Sequence, residues 1–185
     1  MDLGIVRKIW ECDIVEDYEC GCLTTEHALQ ASLYFHVRRK LPELEIFVEP
    51  GMLSDSKGSA AVFPDLVLCE GGKIVLIAEL KFVPHGYPRF KHDLQKLMRF
   101  YHEGSAINHQ LQIDPMSGKF SDSLYKITRT TKYAFFVIGR HDAEAVHKGP
   151  IDSFLGDGQF RRNFSLFYGR TGNAGGRALF GSDFQ

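Results

Sequence analysis

The feature that most constrains the fold is the apolar run at residues 74–80 (IVLIAEL), which is interrupted only by Glu79. A strand that is apolar on both faces needs cover on both sides, as in a sheet between layers of helices. Gly71 and Gly72 precede the run and favour a tight turn, and residues 61–69 have the composition of a partner strand. The sequence therefore predicts a β-hairpin within an α/β domain.

Two helices and further strands complete the predicted core. Thr24 and Thr25 are candidate N-cap residues for a helix that runs to about Leu41, where Pro42 ends it. A second helix is predicted at residues 88–102, because its apolar residues fall on one face. The remaining predictions are strands at residues 44–49, 74–82, 133–138 and 164–168, a short helix near 143–148 and a loop at 169–181.

The length of 185 residues fits one domain over residues 1–185, with its core at about 24–140 and a C-terminal addition at 141–185. No run approaches the roughly 18–20 apolar residues of a membrane span, and the N-terminus lacks the order of a signal peptide. We therefore expect a soluble, cytoplasmic protein. In that compartment the four cysteines are expected to be reduced. A second pair for a zinc site is missing, so they are interpreted as ordinary thiols.

Three polar residues stand out in the predicted hairpin. Asp65 directly follows Pro64 in the first strand, and Glu79 lies near the end of the second. Lys81 follows two residues later, so the alternation of a strand places it on the same face as Glu79. A turn centred on the two glycines pairs residues whose numbers sum to about 143, so that Asp65 lies near Ala78 and Glu79 lies near Pro64. The two carboxylates are then cross-strand neighbours, roughly 5–8 Å apart between β-carbons.

A fourth acid is predicted to reach the same place from the leading helix. Leu29, Leu33 and Val37 recur every four residues and form a stripe that faces the core, and Glu26 lies on that stripe. Buried acids are rare unless they are paired or bound to a metal, so Glu26 is a candidate site residue. The alternative is an acid that the helix dipole favours in the first turn.

These residue types suit a hard divalent cation. Mg²⁺ or Mn²⁺ takes oxygen ligands and keeps several waters, so Asp65, Glu79 and the backbone carbonyl of Leu80 would suffice. Glu26 would hold the metal through a water or steer the nucleophile. Lys81 would orient the attacking water and stabilise the negative charge on phosphorus. The alternative is a buried ion-pair cluster.

The string Pro64-Asp65, thirteen residues, then Glu79-Leu80-Lys81 resembles the signature of the PD-(D/E)XK nuclease superfamily, which includes type II restriction endonucleases. The resemblance covers about residues 26–138, with the order α-β-β-β-α-β. It implies a restriction-endonuclease-like three-layer core, in which helices flank a mixed sheet. It also implies that Asp65 and Glu79 bind metal, Lys81 is catalytic and Glu26 is an accessory acid. Relatives hydrolyse phosphodiester bonds with Mg²⁺ and leave a 5′-phosphate.

Four side chains on the second helix are candidates for contacts with nucleic acid. Lys91, Gln95, Lys96 and Arg99 are predicted on the side opposite the apolar face, where they would position a phosphate backbone. Some exonuclease-like relatives of the superfamily carry Tyr four residues after the Gln, where this chain has Arg99. The alternative is a solvated helix face. A net charge of −1 argues against wholesale wrapping of nucleic acid.

The sequence thus leads to two hypotheses of function. The first is a Mg²⁺-dependent deoxyribonuclease, whose partner is DNA and whose homodimer would allow both strands to be cut. The second is a catalytically inactive, nuclease-like module that binds nucleic acid or regulates another protein. The near-neutral net charge of the chain motivates this second hypothesis. A metal-free hydrolase built on His85 is remote, because the sequence offers it no nucleophile.

Overall fold

The computed structural model describes residues 3–54, 61–104, 108–110, 116, 118, 124–156, 158–172 and 177–183. An N-terminal helical segment consists of α1 (Leu3–Lys8), a π-helical stretch (Ile9–Ile14) and α2 (Val15–Glu19). The later helices are α3 (Glu26–Lys40), α4 (Lys91–Gly104) and α5 (Lys148–Leu155), with 3₁₀ turns at Glu144–Val146 and Gln159–Asn163. The strands are β1 (Glu45–Val48), β2 (Leu53–Ser54), β3 (Leu66–Glu70), β4 (Lys73–Val83), β5 (Asn108–Gln110), β6 (Leu124–Arg140), β7 (Phe164–Thr171) and β8 (Leu179–Asp183).

These strands form one mixed sheet. Its main path has the order β1-β3-β4-β6-β5-β2, and β7 pairs with both β6 and β8. The pairs β1–β3 and β3–β4 are antiparallel, whereas β6 is parallel to both β4 and β7. Strands β7 and β8 belong to the C-terminal addition, so this part of the chain extends the sheet of the core.

Helices cover both faces of the sheet. On one face, Leu33 of α3 and Trp10 of the π-helical stretch belong to the same apolar cluster as Ala78 of β4. On the other face, Leu94 of α4 clusters with Ile77 of β4. The middle of β4 is therefore buried from both sides, as its apolar composition predicts, and the α/β class is confirmed. The layers lie in the order helix, sheet, helix.

The leading helix begins where its sequence predicts. The side-chain oxygen of Thr25 accepts a hydrogen bond of 3.1 Å from the backbone N–H of Ala28, which caps the first turn. The helix ends at Lys40, two residues before Pro42. Glu26 is its first residue and so lies at the end of α3 that can reach the strand termini.

The β3–β4 hairpin turns on the two glycines but has a different register from the predicted one. Gly71 and Gly72 have φ angles of 53° and 73°, the left-handed conformation that glycine adopts without a steric penalty. The register shifts by one residue near the turn, where Val75 has no partner on β3. Beyond the shift Leu66 pairs with Ala78. Continued by one residue, this register places Asp65 opposite Glu79, one residue from the predicted position near Ala78.

Two other predicted boundaries need correction. The strand predicted from residue 61 becomes regular only at Leu66, because Pro64 lacks the N–H of a ladder and Val62 forms an isolated bridge with Met52 instead. The loop predicted at residues 169–181 is in part strand, since β7 continues to Thr171 and β8 begins at Leu179. Residues 173–176 lie outside the described residues.

Strands form in the segment predicted as a loop because aromatic rings of β7 and β8 pack on glycines of the opposite strand. A Cβ atom at Gly169 would lie 2.9 Å from the ring of Phe180, and one at Gly181 would lie 2.5 Å from the hydroxyl of Tyr168. The glycines thus allow β7 and β8 to pair with an aromatic ring on each. In the part of the chain that the structure describes, no helix combines the length and the apolar character needed to cross a membrane.

Candidate active site

The Asp65 carboxylate is held at the start of β3 by hydrogen bonds from neighbouring elements. Its Oδ2 atom accepts a hydrogen bond of 2.5 Å from the backbone N–H of Leu80 on β4. The carbonyl oxygen of Asp65 accepts from the N–H of Glu49 at 3.0 Å and from the side-chain amide of Gln30 at 2.9 Å. Burial raises the pKa of Asp65, against the hydrogen bond from Leu80 and the charge of Lys96. Asp65 is therefore fixed in place, but the hydrogen bond from Leu80 and the charge of Lys96 do not fully offset the cost of burying its carboxylate.

The Glu79 carboxylate is the most deeply buried acid of the site. The residue is 1% exposed, and its Oε1 atom has no hydrogen-bond partner among the described residues. Its Oε2 atom lies 2.6 Å from the ammonium group of Lys96. Burial raises the pKa of Glu79 to about 9, and the neighbouring charge of Asp65 acts in the same direction. A second positive charge at this carboxylate would reverse that direction.

The Lys81 ammonium group lies between two other acids. It is 3.5 Å from Oε2 of Glu26 and 3.7 Å from Oδ2 of Asp93. Partial burial opposes its charge, but Asp93, Glu26 and Asp65 together outweigh that effect and raise the pKa of Lys81. The amine thus stays protonated near neutral pH, which suits a role in stabilising negative charge and not one as a general base.

Glu26 reaches the site from the first turn of α3, as the sequence predicts. In addition to its contact with Lys81, its Oε2 atom accepts a hydrogen bond of 3.2 Å from the backbone N–H of Phe82 on β4. Its side chain is 41% exposed, so this acid lies at the opening of the site while Glu79 lies at its base. The alternative, an acid that only stabilises the helix terminus, does not account for the contact with β4.

Helix α4 contributes two charged side chains that the sequence analysis missed or misplaced. Asp93 is 9% exposed and faces Lys81. The sequence pattern around Asp93 does not indicate that it belongs to the site. Lys96 was predicted on the exposed side of the helix, which is wrong. Its ammonium group contacts Glu79 and donates a hydrogen bond of 2.9 Å to the carbonyl oxygen of Phe63. The spacing of three residues between Asp93 and Lys96 could have indicated a shared helix face.

The other three candidates on α4 remain at the surface. Lys91, Gln95 and Arg99 are exposed. Lys91 and Gln95 also line an open cleft of about 850 Å³ beside the first turn of the helix, together with the exposed ring of Tyr87. The structure thus divides the four predicted nucleic-acid contacts, with Lys96 inside the site and the others on the solvent side of α4. His85 is exposed in the turn that follows β4.

A small cleft opens beside Asp65 on the side of α3. It has a volume of about 20 Å³ and is lined by Glu26, Gln30, Glu49 and Asp65, with Leu80 at its wall. A space of this size holds about one water molecule. Glu49 has a φ angle of 46°, which is uncommon for a residue other than glycine, and its backbone N–H donates to the carbonyl oxygen of Asp65. Gln30 and Glu49 are site residues that the sequence analysis did not identify.

The oxygen-rich character of the site bears on metal binding. Asp65 and Glu79 offer carboxylate oxygens on adjacent strands, and Oε1 of Glu79 has no partner among the described residues. Within the described ranges, no group of three or more His, Cys, Asp or Glu residues is arranged to hold a metal ion. Two carboxylates nevertheless meet the needs of Mg²⁺, which usually keeps several waters. Leu80 takes part in the site through its N–H, which binds Asp65.

Comparison with known proteins adds no relative to this description. The chain matches no protein family, no curated protein and no solved structure at a significant level. The function of the site is therefore inferred from its own geometry and charge.

Proposed function

We propose that the chain is a Mg²⁺-dependent nuclease that hydrolyses phosphodiester bonds of DNA. The observation that supports this proposal is the convergence of two carboxylates from adjacent strands, the half-buried Asp65 and the buried Glu79, close to the protonated amine of Lys81. Taking two acids and an amine out of water is costly without a compensating role. Metal-dependent hydrolysis of a phosphodiester uses this combination of metal ligands and a fixed positive charge.

In this proposal Asp65 and Glu79 hold the cation, with Mn²⁺ able to replace Mg²⁺. The backbone carbonyl of Leu80 is the third protein oxygen, and Glu26 acts directly or through a water at the opening of the site. The cation, when bound, would acidify a coordinated water and offset the charge that develops on the phosphate. The hydrogen bond from Leu80 to Asp65 keeps that carboxylate in place, so little reorganisation is needed.

Lys81 and Lys96 have separate roles in this proposal. Lys81 lies nearer the opening, between Glu26 and Asp93, and keeps its charge available to a phosphate oxygen. Lys96 lies against the buried Glu79 and is the contact partner of its Oε2 atom in the metal-free protein. Asp93 fixes Lys81 from the side of α4 and is a positioning residue.

The wider fold agrees with a restriction-endonuclease-like core, which we include in the proposal. The elements α3, β1, β3, β4, α4 and β6 follow one another in the order α-β-β-β-α-β, with the small strands β2 and β5 inserted. Strand β6 is parallel to β4 in a mixed sheet that helices flank on both sides. We further propose that the exposed side of α4 with Lys91, Gln95 and Arg99 contacts the DNA backbone, and that a homodimer cuts both strands.

One observation favours a second function, a nuclease-like binding or regulatory module without catalytic activity. The ammonium group of Lys96 lies 2.6 Å from Glu79 and already supplies a positive charge to that carboxylate. A protein that never bound a metal would be stabilised by such an ion pair. The two functions differ in one property that can be measured directly, the affinity for Mn²⁺ near neutral pH.

The test combines metal binding with a panel of substrates. Calorimetry with Mn²⁺ should detect one site per chain, and plasmid, linear, branched and single-stranded DNA should be assayed with Mg²⁺ and with Mn²⁺. Asp65→Ala and Lys81→Ala should each abolish cleavage while the fold is retained. Glu70→Ala and Lys73→Ala are matched controls, because these exposed residues lie on the same two strands near the turn. Cleavage by both site variants at the wild-type rate would refute the proposal, and absence of Mn²⁺ binding would favour the module.

A further inference from the structure

A further cleft, separate from the two described above, lies on the α4 side of the sheet near the C-terminal end of α4. It has a volume of about 640 Å³, which is typical of ligand pockets. Its walls come from three elements: the last turns of α4, the first half of β6 and the 3₁₀ turn at Gln159–Asn163. Tyr133 of β6 lines this cleft and pairs with Ile77, two positions before the pair formed by Glu79 and Phe135. The lining includes none of the residues that form the site of Asp65 and Lys81, so the cleft is distinct from that site.

The charged side chains that line this cleft are basic. They are Arg129 of β6 and Arg162 of the 3₁₀ turn, next to His102 of α4, and no described residue of the lining is an acid. Both arginines are exposed, and neither has an ion-pair partner among the described residues. The adjacent Arg161 differs, because it is buried and lies 2.6 Å from Asp152. The local charge therefore favours an anion, which the net charge of the chain does not.

Two tyrosines form the aromatic wall of the cleft. Tyr133 is 1% exposed, yet its hydroxyl group has no hydrogen-bond partner among the described residues. Its ring packs edge-on against Tyr101, with centroids 5.9 Å apart, and lies tilted against Phe160, with centroids 5.2 Å apart. A buried hydroxyl without a partner is destabilising, so its position at the wall of a cleft is typical of a group that meets a ligand. The ring of Tyr101 is half-buried and offers a surface for stacking.

The floor of the cleft is held in place by Asn163. Its side-chain amide donates a hydrogen bond of 3.4 Å to the carbonyl oxygen of Arg129, and its Oδ1 atom accepts from Lys132 at 3.3 Å. These bonds join β6 to the 3₁₀ turn that carries Arg162, so the two guanidinium groups approach the cleft from connected segments. A guanidinium group binds phosphate through parallel hydrogen bonds, and tyrosine rings stack on nucleobases.

The geometry points to this cleft as a binding site for a nucleoside 5′-phosphate, with the phosphate at Arg129 and Arg162 and the base against Tyr101. The hydroxyl of Tyr133 would complete the site by a hydrogen bond to the ligand. The same chemistry is present in a free nucleotide and in the terminal nucleotide of a strand. This inference does not depend on catalysis at Asp65 and Lys81.

The first test is calorimetry on the full chain in EDTA. The probes are AMP, adenosine, inorganic phosphate, and a short oligonucleotide with or without a 5′-phosphate. AMP or the phosphorylated oligonucleotide should bind at least about tenfold more tightly than adenosine, the unphosphorylated oligonucleotide and inorganic phosphate. Tighter binding of the oligonucleotide than of AMP would identify a strand end, and the reverse order would identify a free nucleotide. Absence of binding by both, or equal binding of adenosine or of phosphate, would overturn the assignment.

Variants then locate the binding. Arg129→Ala with Arg162→Ala should weaken the affinity by about tenfold or more, whereas Arg177→Ala, at an exposed arginine outside the cleft, should leave it unchanged. Tyr133→Phe should lower the affinity without lowering the free energy of unfolding, because it removes only a hydroxyl that has no partner among the described residues. Unchanged affinity in the double arginine variant would show that the ligand binds elsewhere. Since both arginines are exposed, failure to fold is not expected to obscure this result.

Discussion

The ammonium group of Lys96 lies 2.6 Å from Oε2 of Glu79, while Oε1 of the same carboxylate has no hydrogen-bond partner among the described residues. Glu79 comes from the middle of the sheet and Lys96 from the helix that covers it. Water screens such a buried pair much less than an exposed one. Burial and the charge of Asp65 raise the pKa of Glu79 in the metal-free protein, and Lys96 opposes them. In our proposal the cation, once bound, adds to the effect of Lys96.

Removal of Lys96 should destabilise the metal-free protein. Lys96→Met leaves the Glu79 carboxyl without its partner, and we expect the free energy of unfolding in urea and EDTA at about pH 9.5, where Glu79 is largely ionised, to fall by about 1–3 kcal/mol. The loss should shrink when Glu79→Gln is added, because no buried charge then remains to be compensated. Lys91→Met, at an exposed position of the same helix, should change the value by less than about 0.5 kcal/mol. Strictly additive losses in the double variant would contradict the coupling.

The stability of the metal-free protein should depend on pH through Glu79. Burial and the charge of Asp65 raise the pKa of Glu79 to about 9 in the folded protein, against 4.5 for the unperturbed side chain. Between these values the folded protein holds a proton that the unfolded chain has released, so stability falls as the pH rises. Below about 4.5 the group is protonated in both states and contributes nothing further. Urea unfolding in EDTA at pH 6 and pH 8.5 should show this loss.

Glu79→Gln serves as the comparison for that titration, because glutamine is neutral at every pH. The loss of stability between pH 6 and pH 8.5 should be smaller in this variant than in the wild type. An identical loss in both proteins would show that another group is responsible. Mn²⁺ should raise the melting temperature of the wild type more at the higher pH, because a cation favours the ionised carboxylate.

Much of the hairpin and its charged residues followed from local sequence pattern. The alternation that places Glu79 and Lys81 on one face has a period of two and does not depend on the rest of the fold. The turn at Gly71 and Gly72 and the cap at Thr25 are likewise local. Glu26 could be assigned to the core side of α3 because the apolar stripe of a single helix defines that side.

The remaining parts of the site depend on contacts between distant elements. The unpaired Val75 shifts the hairpin register by one residue, and no local signal distinguishes it from its apolar neighbours. Lys96 follows the polar pattern of an exposed helix face, but the long side chain reaches back to Glu79 because a buried carboxylate lies beneath it. Asp93 and Glu49 enter the site through the packing of α4 and the turn after β1, which sequence periodicity does not describe.

Lys81 should separate metal binding from catalysis. Lys81→Met removes the positive charge near Asp65 and Glu26, so Mn²⁺ should bind at least as tightly as in the wild type. Cleavage should nevertheless fall by roughly 10²–10³-fold, the usual loss when one group that stabilises the transition state is removed. Calorimetry and a plasmid-cleavage assay on the same preparation give both values. Weaker Mn²⁺ binding together with lost cleavage would instead indicate that Lys81 maintains the structure of the site.

Glu26 should have a smaller effect than the two buried acids. Glu26→Gln keeps an oxygen that can accept the hydrogen bond from Phe82, so the junction of α3 and β4 should be retained. The lost charge should lower the cleavage rate by about tenfold, as expected for a residue that acts through a water or through another ligand. Because Glu26 raises the pKa of Lys81, the alkaline limb of the pH–rate profile should also move to lower pH. A loss of activity as complete as that of Asp65→Ala would identify Glu26 as a direct ligand.

The exposed side of α4 should contribute to affinity for DNA without contributing to the chemical step. Lys91 is exposed beside the open cleft next to the site, and a lysine that contacts a phosphate releases about one counterion on binding. Lys91→Ala should therefore weaken binding of catalytically inactive protein, such as the Asp65→Ala variant, to duplex DNA. It should also reduce the slope of log affinity against log salt concentration by about one. Lys73→Ala, at an exposed lysine near the hairpin turn, is the matched control and should leave that slope unchanged. An equal slope in both variants would place the DNA on another surface, and the cleft next to α4 would then have no part in substrate binding.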